Sequence, residues 1–195
     1  MKMRTGSMLA AIAVASMTAA ANADELLLVD LSVPNQITIT ATAGLAAATV
    51  SDTDNIGVYF REFFGANTLA GSADTLVSGD LVSFGNTSDG TPDLFHFTND
   101  PGLNFWSWTN DAVSGFTMGS QAFSGSATWS ITPASFTAYT ANNPVGRTGD
   151  LFFPADSVDD IAGQGPIGTW RIVPTPGAAS LMGIGLIASA RRRRH

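Results

Sequence analysis

The sequence predicts an all-β fold, a two-sheet antiparallel β-sandwich of jelly-roll type, and three observations carry that expectation. Apolar and hydroxyl-bearing residues alternate with a period of two: Ile37, Ile39, Ala41 and Ala43 against Thr38, Thr40 and Thr42; Ala127, Trp129 and Ile131 against Ser126, Thr128 and Ser130; and Phe136 and Ala138 against Ser135, Thr137 and Tyr139. Successive side chains of a strand point to opposite faces, so each run reads as a strand with one buried face and one hydroxyl-covered face. Clusters of turn residues recur about every ten residues, and helical periodicity is hard to find between the two ends of the chain. A closed barrel is the alternative that the same pattern allows.

Taken in order, strands are expected over 26–33, 37–43, 56–64, 80–84, 94–98, 104–109, 116–123, 126–131, 135–139, 150–153 and 169–173. Gly, Pro, Asn, Asp and Ser at 71–74, 85–90, 99–102, 142–144 and 163–166 mark turns between them. One short helical piece is expected over 155–161, where Asp156 or Ser157 would cap a turn. Trp129 and Trp170 each alternate with polar neighbours and are expected in the core.

The first 23 residues carry Lys2 and Arg4, an apolar run over 8–17 and the small-residue site Ala21-Asn22-Ala23. That order is the signature of a secretory signal peptide, an apolar helix cut after Ala23 to leave Asp24 as the mature N-terminus. The exported domain then spans 24–172, long enough to bury a single core. Between Asp24 and Asp160 lie all 16 carboxylates, against which this domain sets only Arg61, Arg147 and Arg171, a net charge of −13. A field of that sign repels phosphate backbones and anionic headgroups, which argues against nucleic-acid and peripheral-membrane partners. The chain has no cysteine, so disulfides, thiol chemistry and cysteine-bound metals are excluded.

The other end, 173–195, has three parts: a Pro174-x-Pro176-Gly177 turn, an uncharged run over 177–190, and Arg191, Arg192, Arg193 and Arg194. At 1.5 Å per residue that run makes roughly 21 Å of helix, short of the ~30 Å hydrocarbon core. The arginines resist translocation and hold that end at the cytoplasmic face. With its Gly183-Ile-Gly185-Leu186 core, the segment resembles the PEP-CTERM sorting signal of bacterial surface and matrix proteins, with Thr175 where Glu is usual. The resemblance implies signal peptidase and then exosortase as processing partners. It also implies transient anchoring in the inner membrane and a final place at the cell surface or in an exopolysaccharide matrix. A tail anchor that is never cut is the other reading.

Residues that could carry chemistry are few. The domain's single imidazole, His96, lacks a G-x-S-x-G context and a second histidine, so it reads as a packed or half-exposed histidine and not as a catalytic or zinc-binding one. Glu62 could face an Asp across a glycosidase cleft, but Arg61 beside it favours a solvated edge charge. Asp52-Thr-Asp54 opens like a calcium loop, yet Ile56 and Phe63 stand where ligands are required. A looser, weak Ca2+ site is left to Asp52 and Asp54, or to Asp156, Asp159 and Asp160. Trp106 and Trp108 share one face of the expected 104–109 strand, as core or as a platform for sugar rings. The leading expectation is a non-enzymatic exported protein of the surface or matrix, with no cofactor. The alternatives are a carbohydrate-binding module using Trp106 and Trp108, and a glycoside hydrolase or lyase using Glu62.

Overall fold

The structure is a computed structural model that describes residues 23–53, 56–65, 70–85, 90–106 and 113–174. Its elements are β1 (Glu25–Asp30), β2 (Gln36–Ala41), β3 (Val50–Thr53), β4 (Val58–Phe60), β5 (Ser72–Gly79), β6 (Val82–Ser83), β7 (Asp93–His96), β8 (Leu103–Trp106), β9 (Val113–Phe116), β10 (Phe123–Ser124), β11 (Ser126–Ser130), α1 (Pro133–Ala141), β12 (Thr148–Phe152) and β13 (Gly168–Ile172). Nine strands form one closed sheet in the order β1-β13-β12-β4-β8-β7-β5-β11-β2, and β2 pairs back onto β1. The pairs β3/β9 and β6/β10 lie outside that ring.

The all-β expectation holds, but the division into two sheets does not: the main sheet is continuous and closes on itself as a barrel. Local alternation says which face of a strand is buried and is silent on how the sheet's ends meet. Here they meet through β1 and β13, the one parallel pairing in the ring, with Leu27 opposite Trp170 and Val29 opposite Ile172. Because β1 and β13 run the same way, the chain enters the barrel at one rim and leaves it at the other.

Period-2 patterning placed the core correctly in two of its three clearest runs. Ile37, Ile39, Ala127 and Trp129 of β2 and β11 are buried, and their outward neighbours pair across the ladder: Thr38 with Thr128 and Thr40 with Ser126, hydroxyl to hydroxyl, both at 2.8 Å. Trp129 and Trp170 are both fully buried, as expected. Aromatic rings fill the interior edge to face or tilted: Phe60 on Phe105 at 5.0 Å, Phe63 on Trp170 at 5.2 Å, and Phe105 on Trp129 at 5.8 Å. Large indoles need small neighbours, and Gly149, opposite Trp170, supplies one: a Cβ there would sit 2.6 Å from the indole carbons.

Four local expectations are corrected. Residues 71–74, read as a turn, lead into β5, the longest strand, whose Asp74 faces the interior. Residues 135–139, read as a strand, form most of α1. Thr132 caps that helix, accepting the Ser135 N–H at 3.1 Å, and Pro133 sits in its first turn, where a missing N–H costs nothing. In the helix Thr137 and Thr140 turn their hydroxyls back onto the carbonyls four residues earlier, both at 2.9 Å. Residues 155–161 form successive turns instead of a helix. The stretch 116–123 is the connection between β9 and β10, reaching them only at Phe116 and Phe123, and it turns at Gly119, whose φ of 77° suits glycine.

Replacing Trp129 with Ala should lower stability by about 3–5 kcal/mol, because the indole's packing and its cavity are both at stake. Trp129→Phe should cost less, losing chiefly the 3.2 Å bond from Nε1 to the Pro92 carbonyl. Urea unfolding of the 24–174 chain measures both, and a cost below about 1 kcal/mol for Trp129→Ala would place the ring outside the core.

Candidate functional site

Among the described residues, one cleft brings charged groups of both signs together. The β4/β12 register sets Phe60 against Leu151, so the next residue pair outward, Arg61 and Asp150, meets at the same rim, with the Arg61 N–H donating to the Asp150 carbonyl at 3.0 Å. The Arg61 guanidinium lies 3.4 Å from the Glu62 carboxylate and 3.7 Å from that of Asp150. Arg147 reaches over from the turn before β12, donating to the carbonyls of Glu62 and Asn142 and lying 5.9 Å from the Trp170 ring centroid. With Thr148 and Gly149 these residues line an open space of ≈ 300 Å³.

A glycosidase needs the space between its two carboxyls free for sugar and water. Here the Arg61 guanidinium occupies the space between Glu62 and Asp150. The three charged side chains are also half-exposed, so each pair contributes at most about 1 kcal/mol. What the cleft offers is a rim of interleaved donors and acceptors.

A second group of polar side chains is buried inside the barrel. Asp74 of β5 accepts a 2.5 Å bond from the Tyr139 hydroxyl of α1, and burial raises its carboxyl to about 6 even though that bond opposes the rise. His96 of β7 packs 5.2 Å from Phe64 and 6.1 Å from Tyr139. Its Nε2 lies 2.9 Å from the Ala70 carbonyl, which can only accept, so Nε2 carries the proton. Burial lowers the pKa of His96, with the Ala70 bond opposing. Ser72 is its cross-strand partner, and the Ser72 hydroxyl and His96 Nδ1 are both buried without a hydrogen-bond partner. Serine, histidine and aspartate thus come close together, but they are not assembled as a triad: the aspartate is bonded to tyrosine and the histidine to a backbone carbonyl. Of the packed and half-exposed positions that the sequence allows, His96 takes the packed one, at 1% exposure.

The acidic residues divide differently from the expected sets. Asp52 lies exposed in β3, and Asp54 falls outside the described residues. The Asp160 carboxylate caps the turn beside it, accepting the N–H groups of Asp156 and Ser157 at 3.2 Å and the Ser157 hydroxyl at 3.0 Å. Burial, then the bond to Asp160, raises Asp156 to about 6. Asp160 is lowered, its own partial burial being outweighed by bonds from Asp156 and Ser157. Asp159 is exposed and takes no part in those bonds. Among the described residues no group of three or more His, Asp and Glu converges on a metal position.

Asp100, which sequence reasoning passed over as a turn residue, ties the 155–164 segment to the barrel. It accepts the Tyr59 hydroxyl at 2.6 Å, the Gly102 N–H at 2.7 Å and the Val158 N–H at 2.9 Å. Asn104 adds bonds to the carbonyls of Ile56 and Ala155 at 3.1 and 2.8 Å. The Trp106 side chain and all of Trp108 lie outside the described residues, as do Ala21, Pro176, Gly177 and Arg191 to Arg194; Ala23 and Pro174 are within them. No family model, curated protein or solved structure matches the chain.

The Asp74 and His96 shifts predict opposing pH dependences. A raised Asp74 pKa gives stability that is full below its unfolded value of 3.8 and is lost as pH rises through about 6. A lowered His96 pKa gives stability that is full above 6.5 and is lost as pH falls below it. The two slopes therefore oppose each other. Relative to wild type, Asp74→Asn should gain stability as pH rises between 4 and 6, by up to about a hundredfold in the folding constant, and His96→Asn should lose it as pH rises towards 6.5. Urea unfolding of the three proteins across that window checks the signs; parallel profiles would show that the two groups keep ordinary pKa values.

Proposed function

We propose that this chain is a non-enzymatic exported protein of the cell surface or the extracellular polymeric matrix, delivered by signal peptidase at its front and by an exosortase acting on its tail. The observation that supports this reading most is where the hydrogen-bonded barrel begins and ends. Asp24 makes the first ladder contact among the described residues, its carbonyl accepting the Thr169 N–H at 2.9 Å. Val173 makes the last, donating to the Val29 carbonyl at 2.9 Å. Among the described residues, the folded unit fills the interval between Ala23 of the A-x-A site and Pro174 of the Pro-x-Pro-Gly turn. The closed sheet also suits a protein that must stand outside the cell without disulfides, its stability resting on an aromatic interior.

The carbohydrate-binding reading draws its support from the cleft of Arg61, Glu62, Arg147, Thr148 and Asp150, whose interleaved donors and acceptors suit the hydroxyls of a neutral polysaccharide. Trp106 and Trp108 contribute no observation to it. The hydrolase reading is the weakest, with Arg61 between Glu62 and Asp150, the two carboxylates that line that cleft among the described residues.

Mass spectrometry of protein released from the cell surface tests the leading reading at both ends. The released chain should begin at Asp24 and end close to Gly177. Replacing Arg191 to Arg194 with Ser should let uncut chains slip into the periplasm. Released wild-type protein that still carries His195 would overturn exosortase processing.

A further inference from the structure

The cleft of Arg61, Glu62, Arg147, Thr148, Gly149 and Asp150 sorts its hydrogen-bonding groups by kind. One set can only accept. The Arg61 guanidinium faces one oxygen of each carboxylate, Glu62 Oε1 at 3.4 Å and Asp150 Oδ2 at 3.7 Å, so both carboxylates keep lone pairs to spare. Glu62 is set there by its backbone, left-handed at φ 57°, whose carbonyl accepts from the Gly65 N–H at 3.2 Å and from Arg147.

The other set can only donate. Among the described residues, ion pairs engage Arg61 with Glu62 and Asp150, and Arg171 with Glu25, and none engages Arg147. The Arg147 guanidinium donates to the peptide carbonyls of Asn142 and Glu62 and has further N–H groups to give. Trp170 adds a second donor. Its ring is fully buried, its Nε1 has no hydrogen-bond partner among the described residues, and a Cβ on Gly149 would sit 2.7 Å from that nitrogen. The missing side chain of Gly149 thus leaves the indole N–H directly behind the lining of the cleft, 5.9 Å from Arg147 measured to the ring centroid.

A donor-only set beside an acceptor-only set favours one kind of group. A ligand carboxylate would meet Glu62 and Asp150 with like charge, in a domain already at −13. An ammonium would meet Arg147 in the same way. A secondary amide is neutral, and it carries a carbonyl acceptor and an N–H donor on opposite sides of one plane. Arg147 already serves two such carbonyls. Amides occur in peptides and in N-acetylated sugars. Among the described residues nothing apolar lines the cleft to seat a peptide's side chains, whereas its carboxylates and the Thr148 hydroxyl suit ring hydroxyls.

We propose that this cleft binds the acetamido group of an N-acetylated amino-sugar polymer, with the carbonyl oxygen toward Arg147 and the Trp170 N–H, and the amide N–H toward Glu62 or Asp150. The inference rests on the carbohydrate-binding reading of the cleft and names the sugar within it. The space of ≈ 300 Å³ is at the small end of ligand sites, so it takes a short unit of the chain. Such a polymer is neutral, so the acidic domain does not repel it and added salt should change its binding little.

The test uses the full chain, residues 1–195, in micelles of a detergent without a sugar headgroup, titrated in a calorimeter. The probes are tetramers of N-acetylglucosamine, of glucose, of glucuronate and of alanine. The N-acetylglucosamine tetramer should bind, and the glucose tetramer at least about tenfold more weakly, because it lacks the amide that satisfies both sets. Arg147→Lys keeps the charge and loses the planar fork, and Glu62→Lys puts a donor where an acceptor stood. Each should weaken the N-acetylglucosamine tetramer about tenfold and narrow its lead over the glucose tetramer. Urea unfolding checks that the variants fold, and Glu62→Lys, at an exposed position, decides the matter if Arg147→Lys does not. Equal binding of the N-acetylglucosamine and glucose tetramers, or folded variants that keep the wild-type preference, would overturn the amide assignment while leaving a carbohydrate site. A preference for glucuronate or for the alanine tetramer would replace the acetamido group by a carboxylate or by a peptide. If no glycan binds, the carbohydrate reading of the cleft fails, and this inference with it.

Discussion

The barrel depends on the parallel ladder between β1 and β13. A ring of nine strands cannot alternate up and down all the way round, because nine is odd; one pair of neighbours must run the same way. That pair joins the first and last strands of the fold. Closure therefore costs the full entropy of bringing the two ends of the domain together, and the return is a main sheet with no free edge. Leu27, Val29, Trp170 and Ile172 sit at this seam, all buried, so the same four residues both close the sheet and anchor the core.

Around that seam the interior is aromatic where the sheet is regular and polar where α1 covers it. Phe63, Phe105, Trp129 and Trp170 form one continuous set of ring contacts through Phe60. Tyr139 carries the set across to α1, touching Phe63 and Phe64, and its hydroxyl donates to the buried Asp74 carboxylate. The helix and the longest strand are held to each other by a polar bond inside an apolar shell, where its loss would leave a carboxyl unsatisfied. Asp100 plays the corresponding part at the 155–164 segment with three donors, so the loops and the helix are each fastened by one buried aspartate.

How much of this was legible in the sequence follows from the range of each interaction. The inward faces of β2 and β11, and the burial of Trp129 and Trp170, were readable because alternation is a property of adjacent residues. β5 was missed because its buried face includes Ser72 and Asp74, which mimic a turn. α1 was missed because Thr and Ser occupy the positions where an apolar stripe would reveal a helix, and Thr132-Pro133 was the only signal of its start. Closure by β1 and β13 joins residues more than 140 positions apart, and no local pattern encodes it. The cleft was half visible: Arg61 beside Glu62 could be read, but Asp150 and Arg147 reach it only through the β4/β12 register.

The parallel sense of the closing strands also makes the barrel a spacer. With Asp24 at one rim and Val173 at the other, the two ends of the folded unit stand apart by about the length of a six-residue strand, roughly 20 Å. A barrel tethered through Val173 turns its Asp24 rim, with Leu45 and Met118, away from whatever holds it, and keeps Arg147, bonded to Ile172, on the near side. A reporter domain fused ahead of Asp24 would be displayed outward, one fused behind Val173 would be pressed against the support, and antibodies raised to the two rims would tell an attached molecule from a free one.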